Sequence, residues 1–480
     1  MRTFAPEPIV FPGNYCGIRR CSPDHLRLRK VGTMIKSRVL VVSLLAAAGV
    51  AVIPLVTAIA MQSSGPAASD LSLLAGVIQL VNRAYVHPIS SDELTKDALK
   101  GMLTRLDPHS DYMDEQEFKQ SKADMSGSFG GLGMQISEQN EIPKVISPID
   151  GTPAARAGLE PGDQIVLINH SSTQGVNLSK VVALLRGDPG STVTITILRG
   201  KQAPFDVTLT REIIKVKSVK SQLKPDGIGY IRISQFGDDT ADAFKQAIID
   251  LNHDANGRIN GLVIDLRDDP GGLLTAAVAV SGDLLDGGPV VSIHGRQSGD
   301  DRTFKAPAHG DMLSGIPVAV LINGASASAS EIVAGALQDR HRATIMGTQS
   351  FGKGSVQTVI PLEGHGAVRL TTALYYTPSG SSIQDKGIAP DIVIEAPKDQ
   401  QIAGGALIRE SALRGAFANP GPLNQAPGNG ATQSSPPTSE VKPVYSAPIK
   451  AELIGKPDDA QLKAALDHLV QTVGKNTGSH

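Results

Sequence analysis

Apolar and polar positions follow four patterns in turn along the chain. Val39 to Met61 is apolar without a single charge, and about 23 residues suffice to cross a ~30 Å hydrocarbon layer. Leu71 to Tyr85 and Ser91 to Leu106 repeat apolar residues at helical spacing. Asp92 and Glu93 fall in the first turn of the second run, where the helix dipole favours acids. Leu106-Asp107-Pro108-His109-Ser110 ends it, because proline restrains the residue before it. Between about Gly127 and Ile213 the period shortens to that of strands: Met134-Gln135-Ile136, Val145-Ile146, Ile165 to Asn169 and Val193 to Leu198, with a helix at Leu178 to Leu185. From Gly227 strands and helices alternate. Gly227–Phe236, Gly261–Arg267, Val290–Ile293, Pro317–Ile322, Leu370–Tyr376 and Gly387–Ile394 predict strands, and Thr240–Asn252, Leu273–Leu285 and Glu331–Asp339 predict helices. That order predicts an α/β layered body. Ala416 to Ala447 is rich in Pro, Gly, Ser, Asn and Gln and predicts a flexible linker. Asp459 to Val473 then returns to helical spacing, with Leu462, Ala465, Leu466 and Leu469 on one face.

The junction at Asn323-Gly324-Ala325-Ser326-Ala327-Ser328-Ala329-Ser330-Glu331 joins a buried strand to a helix start through small residues. Such a turn aims backbone N–H groups outward, and a serine hydroxyl there is a nucleophile beside an anion site. Phe351-Gly352-Lys353-Gly354 follows, a lysine between glycines that allow close packing. Ser326, Ser328 and Ser330 are rival nucleophiles on sequence alone. A tight Ser/Ala contact between helix and sheet, and a turn with a solvated lysine, are the bland alternatives.

Composition narrows the classes. The net charge of -2 gives no reason to expect nucleic acid, and aromatics at 4% without tryptophan provide no stacking platform. The two cysteines, Cys16 and Cys21, both precede the apolar segment, so the main body has no disulfide framework or thiolate metal site. With His25 they lack a fourth ligand and do not make a metal centre. No metal and no organic cofactor is expected. Lys36 and Arg38 just before the apolar run predict a cytoplasmic N-terminus, with everything after Met61 beyond the inner membrane. Ala58-Ile59-Ala60 suits signal cleavage, which leaves anchor and cleaved signal both open, and Met34 is an alternative start.

Phe129-Gly130-Gly131-Leu132-Gly133-Met134, the strands after it and Ala157-Gly158-Leu159-Glu160-Pro161-Gly162-Asp163 resemble a PDZ domain. In such a domain bare N–H groups at Gly131, Leu132, Gly133 and Met134 hold a peptide carboxylate, and the peptide adds as a strand beside Met134-Gln135-Ile136. Met134, Ile136 and Leu185 would line an apolar groove. The larger series resembles the carboxy-terminal processing, or tail-specific, serine proteases. It comprises Leu106 to Ser110, the PDZ unit, Gly229 to Phe236, Asp265-Leu266-Arg267 with Pro270-Gly271-Gly272, Ser326 to Asp339, and Phe351 to Gly354 with Gln357.

That resemblance implies a multi-domain α/β protein. Its parts are a cytoplasmic tail (1–38), a membrane or signal helix (39–61), a helical N-terminal region (70–125), a β-rich PDZ domain (126–214), a ClpP/crotonase-like protease core (215–397), a linker (398–450) and a C-terminal helix (451–480). It also implies Ser328 as nucleophile, Lys353 as general base, Gln357 orienting the lysine, and Asp339 as an acidic position implicated in some members. The oxyanion hole would use the N–H of Ala329 and one from Gly271 or Gly272, with Gly272 preferred. The base must be neutral, so its pKa must fall from about 10.4 toward roughly 7–8. A neutral amide suits that better than a nearby carboxylate. The family commonly has a neutral residue before Pro-Gly-Gly, where this chain has Asp268 and Asp269. Asp269 is expected to point away or to be hydrogen-bonded.

Implied partners are polypeptides with free C-terminal tails, in the cell envelope on the periplasmic side of the inner membrane, an adaptor lipoprotein, and a dimer or larger ring. His109 is expected to be structural. A Ser-His-Asp hydrolase using His294, His309, His341 or His365 competes, although no Gly-x-Ser-x-Gly elbow exists. A catalytically degenerate PDZ scaffold of the envelope is the non-enzymatic alternative.

Overall fold

The computed structural model describes residues 68–477 apart from 140, 150, 216, 403–408 and 424–448. The apolar run Val39–Met61 lies outside the described residues, among which no helix is long and apolar enough to cross a membrane. The chain divides into two units, Met1–Ile89 and Ser90–His480. In the first, helix α1 (Ala68–Ala84) buries none of its residues, and Leu71, Leu73, Leu74, Val77 and Leu80 are exposed.

The second unit opens with α2 (Ser91–Leu103), whose N-cap Ser90 accepts from Glu93 N–H at 3.1 Å. β1 (Asp111–Met113) and α3 (Glu115–Met125) follow, the latter started by a reciprocal Asp114–Glu117 capping box. β2 (Ser128–Gly131) leads into a body of β3 (Met134–Gln139), β4 (Ile142–Pro148), α4 (Pro153–Arg156), β5 (Gln164–Ile168), β6 (Ser171–Ser172), α5 (Leu178–Leu185), β7 (Thr192–Leu198) and β8 (Phe205–Thr210). Its sheet runs β3-β4-β5-β7-β8, with β6 paired to β5, so β3 keeps a free edge. Ile165, Ile195, Ile197 and Val181 are fully buried in its core. β9 (Glu212–Lys215) leads out, antiparallel to β2.

A further six-stranded sheet and its covering helices are built from β10 (Val219–Lys224), β11 (Ile228–Ile233), α6 (Thr240–Asp254), β12 (Gly261–Asp265), α7 (Leu274–Gly282) and later strands. β13 (Pro289–Gly295) and β14 (Arg302–Lys305) form part of a second sheet; β15 (Val318–Ile322), helix α8 (Ala329–Asp339) and β16 (Thr344–Gly347) rejoin the first. β17 (Ser355–Pro361) and β18 (Ala367–Tyr376) form a hairpin in the second sheet, and β19 (Ile392–Val393) closes the first, whose order is β10-β11-β12-β15-β16-β19. From β11 onward it is parallel.

Both faces of that sheet are covered, which explains why its strands read as unbroken apolar runs. Leu262 and Ile264, like Val318, Val320 and Ile322, join the core that includes α6, α7 and α8. Val263, Ala319 and Leu321 point the other way, against Leu462, Ala465 and Leu469 of helix α9 (Ala460–Thr477). Each such valine, leucine or isoleucine contributes roughly 1.5–3 kcal/mol by leaving water, and the alanines less.

Helix α9 is also pinned by charge. The Arg267 guanidinium, wholly buried, donates to Asp265 (2.9 and 2.6 Å), to Asp459 (3.0 and 2.6 Å) and to Gln461 (3.0 Å). Tyr230 donates to Asp265 at 2.9 Å. A buried guanidinium is tolerable only with its donors satisfied in this way.

The run expected as a strand over Gly387–Ile394 pairs only at Ile392–Val393, because Pro390 has no amide hydrogen to give a ladder. The expected linker is corrected in its first part. Residues 409–423 are fixed to the body: Asn419 Nδ2 donates to Gln384 O (2.7 Å) and Ser382 O (3.2 Å), and Leu423 N–H to Gly380 O (3.0 Å). Side-chain and backbone hydrogen bonds hold what composition suggested would be loose. Residues 424–448 lie outside the described set.

Candidate active site

Strand β15 delivers the chain to Asn323–Ser328, and α8 begins at once after it. Ser328, at the N-cap, has φ 55° and ψ −109°. A non-glycine residue holds that shape only when its surroundings enforce it. The neighbouring hydroxyls enforce it. Ser326 Oγ donates to Leu266 O (2.7 Å) and accepts from Asn323 N–H (2.9 Å), while Ser330 Oγ donates to Asp269 O (3.1 Å). Both rivals are fully buried and spent on these ties. The Ser328 side chain instead meets the Tyr375 phenol of β18, whose pKa burial pushes up to about 12 against the opposing contact with Ser328.

The lysine loop is bound to the same elbow by one carboxylate. Glu331, in the first turn of α8 and fully buried, accepts from Ser328 N–H (2.8 Å) and Lys353 N–H (2.9 Å) on Oε2. Its Oε1 accepts from Ser350 Oγ (2.5 Å) and Gly352 N–H (2.7 Å). The amides of 328 and 353 are therefore no farther apart than two hydrogen bonds laid end to end. Burial raises this carboxyl to about 7, and the four donors hold it from rising further. Gly354 is needed here: a Cβ on it would lie 2.1 Å from Gln384 N.

Burial also lowers the pKa of Lys353; Arg369 assists, while Glu410, Glu331 and Asp107 oppose it. The ammonium has no hydrogen bond or ion pair among the described residues. Three carboxyl groups thus lie within electrostatic reach of it, contrary to the expectation of a neutral partner alone. Glu410, wholly buried, lies on the 409–423 segment, where it meets His109 Nε2 (2.9 and 3.0 Å) and Gln384 Nε2 (3.0 Å). His109 is therefore a tie between that segment and the turn after α2. Asp107 accepts from Ser110 Oγ (2.6 Å) and Thr371 Oγ1 (3.0 Å).

Gln357 sits on β17 and donates to Ser355 Oγ (2.9 Å) and Thr371 Oγ1 (3.3 Å), not to Lys353. Asp339 is not brought to the site. It ends α8, about 16 Å of helix rise from its start, and accepts from Ser379 N–H at 2.8 Å. No hydrogen bond joins a histidine to Ser328 among the described residues: His294 pairs with Asp301 (3.1 Å), and His309, His341 and His365 are exposed.

The turn Pro270-Gly271-Gly272 packs on the elbow. A Cβ on Gly271 would lie 2.9 Å from Ala329 N and 2.9 Å from Ser328 Cβ, and one on Gly272 would lie 2.0 Å from Phe236 O. Gly271 N–H is occupied, donating to Asp269 Oδ1 at 2.8 Å. The N–H groups of Gly272 and Ala329 donate to no acceptor among the described residues. Asp269 does not point away: it is fully buried, with one oxygen bonded and Oδ2 without a partner.

In the β3–β8 body, Leu132 and Gly133 likewise leave their N–H groups unspent among the described residues. Gly131 ends β2 and Met134 begins the free-edged β3. Leu185 is buried, and Met134 and Ile136 are half-buried against the same core.

Known proteins show the same organisation. Residues 227–394 match Peptidase family S41, residues 144–199 the PDZ domain, and residues 56–117 the activating protease CtpB N-terminal domain. A carboxy-terminal-processing protease of Bartonella bacilliformis is 45% identical over 376 residues, 78% of this chain and 86% of that protein. This chain belongs to the carboxy-terminal-processing proteases of family S41. The carboxy-terminal processing protease CtpA of Bacillus subtilis is 34% identical over 337 residues, 70% of this chain and 71% of that protein. The solved photosystem II D1 C-terminal processing protease is 30% identical, with a TM-score of 0.41, covering 67% of this chain and 92% of that one. The protein is thus a serine-type peptidase carrying a PDZ domain.

Sequence reasoning missed Glu331, Tyr375 and Glu410. The Ser-x-x-Glu spacing of a capping box was a signal for Glu331; for the other two no local signal exists.

Proposed function

We propose that this protease cleaves polypeptide tails by a Ser–Lys mechanism. Ser328 attacks the scissile carbonyl, neutral Lys353 takes the hydroxyl proton, and the N–H groups of Ala329 and Gly272 receive the oxyanion. The proton passes to the leaving amine, and water then releases the acyl group from Ser328. The observation that carries this reading is the Glu331 oxygen shared by the amides of Ser328 and Lys353. It supports a nucleophile on a strained elbow near a half-buried lysine that forms no ion pair among the described residues. Gln357 acts at one remove: it donates to Thr371, which donates to Asp107, one of the carboxyl groups whose field reaches Lys353.

The PDZ domain grips the substrate's C-terminal carboxylate at Leu132 and Gly133, with the tail added along β3. The charge pattern before Val39 supports a site of action on the periplasmic side of an inner membrane, and hence envelope proteins as substrates. The test is cleavage of a substrate with and without its free C-terminal tail by wild type, Ser328→Ala and Lys353→Ala, with products read by mass spectrometry. Retained cleavage by Lys353→Ala overturns the mechanism. Indifference to the tail overturns the PDZ role.

A further inference from the structure

Asp269 is wedged between the oxyanion turn and the start of α8. Its Oδ1 accepts from Gly271 N–H (2.8 Å) and its main-chain oxygen from Ala327 N–H (3.0 Å) and Ser330 Oγ (3.1 Å), but Oδ2 has no partner. No lysine or arginine pairs with it among the described residues. The charged groups around it are engaged elsewhere. From β11, Arg232 donates to Arg267 O (3.0 Å) and lies 3.6 Å from Asp265, and its field only moderates Asp269. Asp265 and Arg267, just before it in the chain, pair with each other. From α8, Glu331 is held by its own donors. The adjacent Asp268 accepts from Asn323 Nδ2 at 2.8 Å. A carboxylate without counter-ion and with an empty oxygen is strongly disfavoured in such a place; a neutral acid is far less so.

We propose that Asp269 is a positioning residue that works as a neutral acid: it engages Gly271 N–H so that the turn offers Gly272 N–H to the substrate oxygen, and its ionisation opposes the alkoxide forming next to that turn. The inference rests on the Ser–Lys reading. Burial pushes the carboxyl up to about 8, so its titration falls in the range where a lysine base must already be neutral. Activity should rise as Lys353 loses its proton and fall as Asp269 loses its own.

The test follows kcat and KM of the full-length protein on a fluorogenic peptide with a free carboxyl terminus, from about pH 6 to about pH 10, a span chosen to bracket both titrations. Thermal melts at each pH separate unfolding from inactivation. Wild type should lose activity about tenfold per pH unit on the alkaline side. Asp269→Asn should keep the acid limb and lose the alkaline one, with KM unchanged; Asp269→Ser should do the same. An alkaline fall retained in a folded variant overturns the proposal, as does a change of level without a change of shape. If neither variant folds, a peptide boronate on wild type decides. Its Kd should weaken about tenfold per pH unit in the alkaline range, and a flat Kd overturns the proposal. Activity surviving in Lys353→Ala would instead sink the Ser–Lys reading, whatever the Asp269 profile shows.

Discussion

Two carboxyl groups are buried beside the Ser328 elbow, and they are treated oppositely. Glu331 has four donors, two of them the amides of Ser328 and Lys353; Asp269 has one, and its second oxygen faces no partner. Burial raises both, Glu331 from 4.5 to about 7 and Asp269 from 3.8 to about 8. Equal burial with unequal donors separates a clamp from a neutral acid. The clamp side fixes where Ser328 and Lys353 stand; the other side borders the Pro270-Gly271-Gly272 turn. A protease of this kind can therefore hold one carboxyl in a dense network and leave another nearly bare within a few residues of the same serine.

The largest expected effect isolates what the clamp serves. Lys353→Ala should lower kcat by about 10³-fold or more, with secondary structure and melting little changed. Steady-state and single-turnover assays check it, and a loss under tenfold would detach the lysine from the chemistry. Next, Glu331→Ala should cost about 3–5 kcal/mol of stability, since it strands four buried donors, and should remove most activity. Urea unfolding checks the first figure. Near-normal stability would mean the loop is held by something else.

A smaller effect distinguishes the two acids by pH. Both folded-state values are raised, so each group's stabilising contribution is complete below its unfolded value and lost as pH rises. The loss is finished above about 7 for Glu331 and above about 8 for Asp269. Asp269→Asn should flatten the upper part of that decline in a series of unfolding curves; an unchanged slope would show that Asp269 is already ionised. The smallest effect is the control. Asp339→Ala removes an acceptor for Ser379 N–H far from the elbow, so kcat should stay within about twofold and stability within about 1 kcal/mol.

The elements that recur within a few residues were readable from sequence. The apolar runs at 261–265 and 318–322 announced strands buried on both faces, and the small residues at 323–330 announced the elbow. Periodicity could not choose among Ser326, Ser328 and Ser330. The choice came from family resemblance, and the structure supplies its reason in the spent hydroxyls of the other two. What stayed hidden depends on long-range pairing. Glu410 meets His109 across 301 positions, and Thr371 meets Asp107 across 264. Residues 409–423 look like a linker because their composition cannot build a core, yet they need only dock on one. Asp339 was misleading for the reverse reason: a helix position can match a motif and still point its chemistry elsewhere.

Arg267 is synthesised 192 positions before Asp459, the second carboxylate on its guanidinium. Until that acid arrives, the strand leading to the oxyanion turn carries a half-matched cation inside a developing core. A ribosome-bound chain should therefore be unable to digest its neighbours while it is still being made. Stalled nascent chains, released by stages and assayed for peptide cleavage, should stay silent until Asp459 has emerged.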